Sequence, residues 1–156
     1  MKSIFKKSGG LILACLFLTG AAQAGEVAIV VNKSIASDEC SLQELKRIMK
    51  AELLFWGDKK VQILMLDQSA WERKVILRKI YEMSEDDLRK LWLSKIFKGD
   101  ITNFPAVFAS SATVKQLVNR VPGAVSFIDS QAVDDTVKVL KINGKKPGEA
   151  GYLLQE

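Results

Sequence analysis

The stretch LMLDQSAWERKVILRKIY, residues 64–81, changes its hydrophobic period within a few residues. Its beginning completes the apolar run VQILML (61–66), which is typical of a buried strand. Three polar residues follow, Asp67, Gln68 and Ser69, and apolar residues then recur at the three- and four-residue spacing of a helix. A strand that leads directly into a helix through a polar turn favours an α/β architecture.

The segments on either side of this stretch also predict strands and helices that alternate along the chain. EVAIVVN (26–32) and AVSFI (124–128) are further apolar runs that predict strands, and an edge strand is expected before a turn at Asn143-Gly144. Capping boxes at Ser41 and Ser84 predict two more helix starts, because the serine oxygen accepts a free amide hydrogen of the first turn. The chain is therefore predicted to be an α/β domain with a mostly parallel sheet flanked by helices, and the first two strands should share that sheet.

The N-terminal segment has the features of a secretory signal. Three lysines precede the apolar run GLILACLFLTGAA (10–22), which is too short to span a bilayer, and Ala22-Gln23-Ala24 has the small-x-small form of a cleavage site. We expect residues 1–24 to be removed, which leaves one domain at 25–156, a periplasmic location and no membrane span. An uncleaved anchor is the alternative. A lipoprotein at Cys15 is disfavoured because only five residues would remain for the apolar region.

Composition disfavours several classes of function. Without the three signal lysines, 20 basic residues face 18 acidic ones, so a net charge of +2 gives little support to nucleic-acid binding. The chain has no histidine, no Gly-rich phosphate loop, no CxxC pair and no nucleophile elbow. Cys40 alone remains after cleavage, so no internal disulfide can form. The sequence predicts a protein that is not an enzyme and that holds no cofactor or metal.

The order of the motifs resembles a known family. VAIVVN, SLQELKRIM, WGDKK, a strand ending in LDQS, LRKLWLSKIFKGD, VNRVPGAVSFID and VKVLKINGKKPGEAGYLL follow one another over about residues 26–154. Together they resemble the phosphate-type periplasmic solute-binding proteins of ABC importers, and in particular a short relative with one lobe. The resemblance implies a single lobe of a type II periplasmic-binding-protein-like fold. It also implies phosphate or a related oxyanion as ligand, and an importer membrane subunit as partner.

The resemblance assigns a role to the opening turn. In the family, a turn of the form Arg-x-Asp-Gly-Ser-Gly-Thr directs amides and hydroxyls at the anion. In this chain Asp67, Gln68 and Ser69 occupy the Asp-Gly-Ser positions, while Met65 stands in place of the arginine. The resemblance therefore implies a ligand site at Asp67, Gln68 and Ser69, with Arg73 as the nearest compensating charge.

A purely local role for the same turn is the alternative. Ser69 to Glu72 also has the form of a capping box, so Ser69 could serve only to begin its helix. Losing the arginine and a second lobe weakens anion capture, because a charge-assisted contact and burial of the ligand are both lost. Two functions stay open at this point: a periplasmic phosphate-binding component of an ABC importer, and a non-transporting module that acts by protein contact in the cell envelope.

Overall fold

The computed structural model describes residues 24–156, so the predicted signal segment lies outside the described residues except for Ala24. Four α-helices are present in this part of the chain: α1 (Leu42–Met49), α2 (Trp71–Ile76), α3 (Glu85–Phe97) and α4 (Ser111–Arg120). This part of the chain also contains short strands: β1 (Val27–Val31), β2 (Glu39–Cys40), β3 (Phe55–Trp56), β4 (Lys59–Lys60), β5 (Gln62–Leu66), β6 (Ala106–Phe108), β7 (Ala124–Asp129), β8 (Lys138–Val139) and β9 (Lys141–Ile142). Within residues 24–156, no helix has the length and apolar character needed to cross a bilayer.

The main sheet has five strands in the order β6-β5-β7-β1-β8. β5 is parallel to β6 and to β7, whereas β1 is antiparallel to β7 and to β8. Four strands therefore run in one direction and β1 alone runs against them, which confirms the mostly parallel sheet. β1 and β5 lie in the same sheet, as predicted. β2 and β9 form a small parallel pair, and β3 and β4 form a hairpin around Gly57-Asp58.

The core lies around β1, whose five residues are all fully buried. Its buried position explains the continuous apolar run at 27–31, because both faces of the strand are covered. Tyr81 and Trp92, both buried, make an edge-to-face contact with ring centroids 6.1 Å apart. The Tyr81 hydroxyl donates to the Met49 carbonyl oxygen at 2.9 Å, which ties the segment after α2 to α1.

The helix that follows the opening turn differs from the sequence prediction. Ser69 does not cap it: the helix begins at Trp71 after Ala70, and no side chain of the described residues caps its first turn. After Ile76 the backbone continues as a π-helical segment, Leu77–Tyr81, which ends at Glu82 in the left-handed conformation. The capping-box interpretation of Ser69 is therefore wrong, because Ala70 and not Ser69 occupies the position before the first helical residue.

Candidate functional site

The candidate site lies where two crossover connections diverge. The connection after β5 leads to β6, which lies on one side of β5 in the sheet. The connection after β6 passes through α4 and leads to β7, which lies on the other side of β5. Because crossovers between parallel strands are right-handed, these two connections cover opposite faces of the sheet. The crevice between the carboxyl ends of β5 and β6 is thus a topological switch point, the usual position of ligand sites in open α/β sheets.

The opening turn forms one side of this crevice. The Asp67 amide donates to the Phe108 carbonyl oxygen at 3.0 Å, which joins the end of β5 to the end of β6. Asp67 Oδ1 accepts the Ser69 amide at 3.0 Å and the Ser69 hydroxyl at 2.6 Å. These hydrogen bonds hold the pKa of the Asp67 carboxyl below its usual value. Asp67 and Ser69 therefore act together as a local polar turn at the surface.

Arg73 is buried rather than free at the turn. Its Nε and Nη2 donate to Glu85 Oε1 and Oε2 at 2.6 Å and 2.7 Å, a bidentate pair, and Nη1 donates to the Leu66 carbonyl oxygen at 2.7 Å. Only 7% of the residue is exposed. Arg73 thus anchors the last residue of β5, and a direct contact with a ligand would require its guanidinium to leave Glu85.

Gln68 is exposed next to a cleft. It forms part of the wall of a cleft of about 290 Å³ beside the edge strand β6, between that strand and α3. The wall combines apolar and polar side chains in similar number. The polar ones are Gln68, Arg73, Glu85, Asp86 and Arg89, and the apolar ones include Met65, Trp92, Phe104 and Val107. The structure therefore brings Gln68 and Arg73 together in one cleft, whereas Asp67 and Ser69 are not part of its wall.

The first turn of α4 lies opposite the first turn of α2, and none of its residues was predicted as a site residue. Ser110 caps this helix by accepting the Thr113 amide at 3.2 Å. The hydroxyl of Ser111 faces Glu72 in the first turn of α2, with an oxygen-to-oxygen distance of 3.5 Å. The string FASSAT before a helical pattern is the signal that could have located this helix start.

Amides of the α2 first turn are the candidate anion donors. α1, α3 and α4 each have a serine that accepts an amide of the first turn: Ser41, Ser84 and Ser110. α2 follows Ala70 instead, and its first-turn amides have no side-chain acceptor among the described residues. Such amides, at the positive end of a helix, attract anions.

Several solved structures share this fold. An ABC-type phosphate transport receptor from Vibrio cholerae is 23% identical, with a TM-score of 0.64 over 79% of this chain. A putative phosphate ABC transporter substrate-binding protein with bound phosphate from Clostridium perfringens is 17% identical, with a TM-score of 0.63 over 78% of the chain. PstS from Borrelia burgdorferi is 13% identical, with a TM-score of 0.63 over 79% of the chain. No protein-family model matches the sequence.

The match covers only part of each of these larger proteins. This chain spans 48% of the Vibrio receptor, 46% of the Clostridium protein and 49% of the Borrelia protein. About four fifths of the chain thus superimposes on about half of a phosphate receptor. Together with the five-stranded sheet and its flanking helices, this shows that the chain has the fold of a single lobe of the phosphate-type ABC-transporter substrate-binding proteins.

Proposed function

We propose that this protein binds phosphate or a related oxyanion at the carboxyl end of β5, as an exported binding component of an ABC importer. The observation that carries the proposal is the position of the Asp67–Ala70 turn, which lies at the switch point and leads into a helix without a side-chain cap. The likeness to three phosphate receptors supports it. The role is binding rather than catalysis, and the partner is the importer's membrane subunit.

The proposed ligand contacts follow from the geometry of the turn. Ser69 is exposed and can turn its hydroxyl from Asp67 to an anion, while Gln68 offers an amide donor from the cleft side. Asp67 holds the turn in shape through the Ser69 amide. Arg73 fixes the end of β5, and its positive charge lies behind the turn, partly neutralised by Glu85. The anion would thus be held chiefly by neutral donors.

Ser69→Ala tests the proposed contact. Because Ser69 does not cap α2, its removal is expected to change the free energy of unfolding by less than about 1 kcal/mol. If its hydroxyl donates to a charged ligand, the loss should weaken phosphate binding by about 1.5–3 kcal/mol, roughly ten- to hundredfold in Kd. Isothermal titration calorimetry with inorganic phosphate measures this effect. Ser94→Ala, an exposed serine on α3, is the matched control.

Two results would contradict the proposal. Equal phosphate affinity for Ser69→Ala and for the unchanged protein would remove the Ser69 hydroxyl from the proposed ligand contacts. Absence of any phosphate binding to the unchanged protein at millimolar concentration would remove phosphate as the ligand.

Export is a separate part of the proposal. If Ala22-Gln23-Ala24 is the cleavage site, the intact mass of the protein recovered from the periplasm should correspond to a chain that begins at Gly25. Recovery of the full-length chain in the membrane fraction would contradict the periplasmic assignment.

A role in protein contact within the cell envelope is the second candidate function. It is favoured by large apolar side chains exposed on α3 and the segment after it, with Phe97 86% exposed and Leu93, Phe104 and Val107 also exposed. Apolar surfaces of this kind mark interaction sites in soluble proteins. Under this function, Phe97→Ser should leave stability unchanged and abolish crosslinking to envelope proteins in intact cells, with no phosphate bound by either form.

A further inference from the structure

The Glu72 carboxylate is a buried charge with one weak partner. Only 6% of the residue is exposed. Within residues 24–156, the one hydrogen bond that it accepts comes from Ser111 Oγ at 3.5 Å, the outer limit of such a contact. None of the ion pairs in this part of the chain includes Glu72. A buried carboxylate without a cation is costly unless other positive groups face it.

The first turn of α4 lies against this carboxylate. Ser111 is the first residue of this ten-residue helix, and its hydroxyl points to the Glu72 carboxylate. The amides at a helix start lack intrahelical acceptors and carry a partial positive charge. Glu72 itself lies in the first turn of α2, so its side chain connects the start of α2 to the start of α4 at the switch point.

We propose that Glu72 is an internal anion at the start of α4 and that it thereby weakens the binding of external oxyanions at the neighbouring Asp67–Ala70 turn. The proposal rests on the anion-binding role proposed above. A fixed negative charge repels a phosphate or sulfate nearby, and the repulsion is strong because the carboxylate is shielded from water. Glu72 thus sets the affinity of the site, although neither its position nor its burial was expected from the turn motif.

Glu72→Gln tests this role, because the amide keeps the shape of the side chain and removes its charge. Calorimetric titrations with inorganic phosphate and with sulfate are compared between this variant and the unchanged protein. We expect Kd to fall about ten- to hundredfold for both anions, which corresponds to roughly 1.4–2.8 kcal/mol of relieved repulsion. Glu52→Gln removes the same charge from an exposed position and should leave both Kd values unchanged.

The outcomes separate this inference from the proposed function. Phosphate binding by the unchanged protein with no gain in Glu72→Gln would overturn the inference and leave the function standing. Binding by Glu72→Gln alone would support the inference and refute phosphate capture by the natural chain. No anion binding by either protein would overturn both. Should circular dichroism show that Glu72→Gln is unfolded, Glu72→Met removes the charge without adding a buried polar group and is titrated in its place.

Discussion

Replacing Arg73 with alanine is expected to lower the free energy of unfolding by about 3–5 kcal/mol. The substitution removes two hydrogen bonds to Glu85 and one to the Leu66 carbonyl oxygen, all from a buried guanidinium. It leaves a Glu85 side chain that is only 30% exposed without its cation. It also leaves the carbonyl of a buried strand residue without its side-chain donor. Urea denaturation followed by circular dichroism measures the loss.

Arg89→Ala is the matched control for this prediction. Arg89 pairs with Asp86 at 3.3 Å, but the two side chains are 69% and 78% exposed, so the pair should contribute less than about 1 kcal/mol. Equal effects of the two substitutions would show that the Arg73 pair does not stabilise the fold as its geometry indicates.

The Arg73–Glu85 pair also affects how phosphate binding by the variants is interpreted. Loss of phosphate binding in Arg73→Ala would not by itself show a direct contact, because Arg73 also anchors the strand end before the turn. Glu85→Gln keeps the arginine and removes the charge that neutralises it. Tighter phosphate binding in Glu85→Gln would therefore show that the net charge of this pair acts on the proposed site, whether or not Arg73 contacts the ligand.

Gly123→Ala is expected to destabilise the protein by about 3 kcal/mol or more. Gly123 has a φ of +76°, in the left-handed region that side chains disfavour. A Cβ at this position would lie 2.1 Å from the carbonyl oxygen of Lys60, which is backbone and cannot turn aside. The Gly123 carbonyl also accepts the Gln62 amide at 3.0 Å, so a shift here would disturb the start of β5. Thermal and urea unfolding measure the effect.

Gly144→Ala separates the two causes. Gly144 has a φ of +78°, but a Cβ there would have no atom of the described residues within 4 Å. This control should lose only the conformational component, about 1–2 kcal/mol. If Gly123→Ala costs no more than Gly144→Ala, close approach to Lys60 is not what requires glycine at position 123.

Features that depend on residues close together in the sequence could be predicted from the sequence alone. The apolar runs located β1, β5 and β7 to within a residue or two, because a buried strand needs apolar side chains on both faces. Ser41 and Ser84 cap their helices as predicted, since the accepted amide lies only three residues away. The Asn143-Gly144 turn was predictable for the same reason, and both residues have positive φ.

Features that depend on distant partners were decided by the tertiary structure. The antiparallel direction of β1 depends on pairing with β7, almost a hundred residues away, and no local pattern encodes it. The short strand β6 forms because β5 offers it a free edge.

The candidate site likewise has one part that the sequence predicted and other parts that only the tertiary structure shows. The sequence located the polar turn at residues 67–69, which lies within one short segment. Only folding brought Glu85 against Arg73 and placed Ser111 opposite Glu72. Those pairings determine which charged side chains are neutralised and which are not. The environment of a charged group depends on the groups packed around it in space and not on its neighbours along the chain.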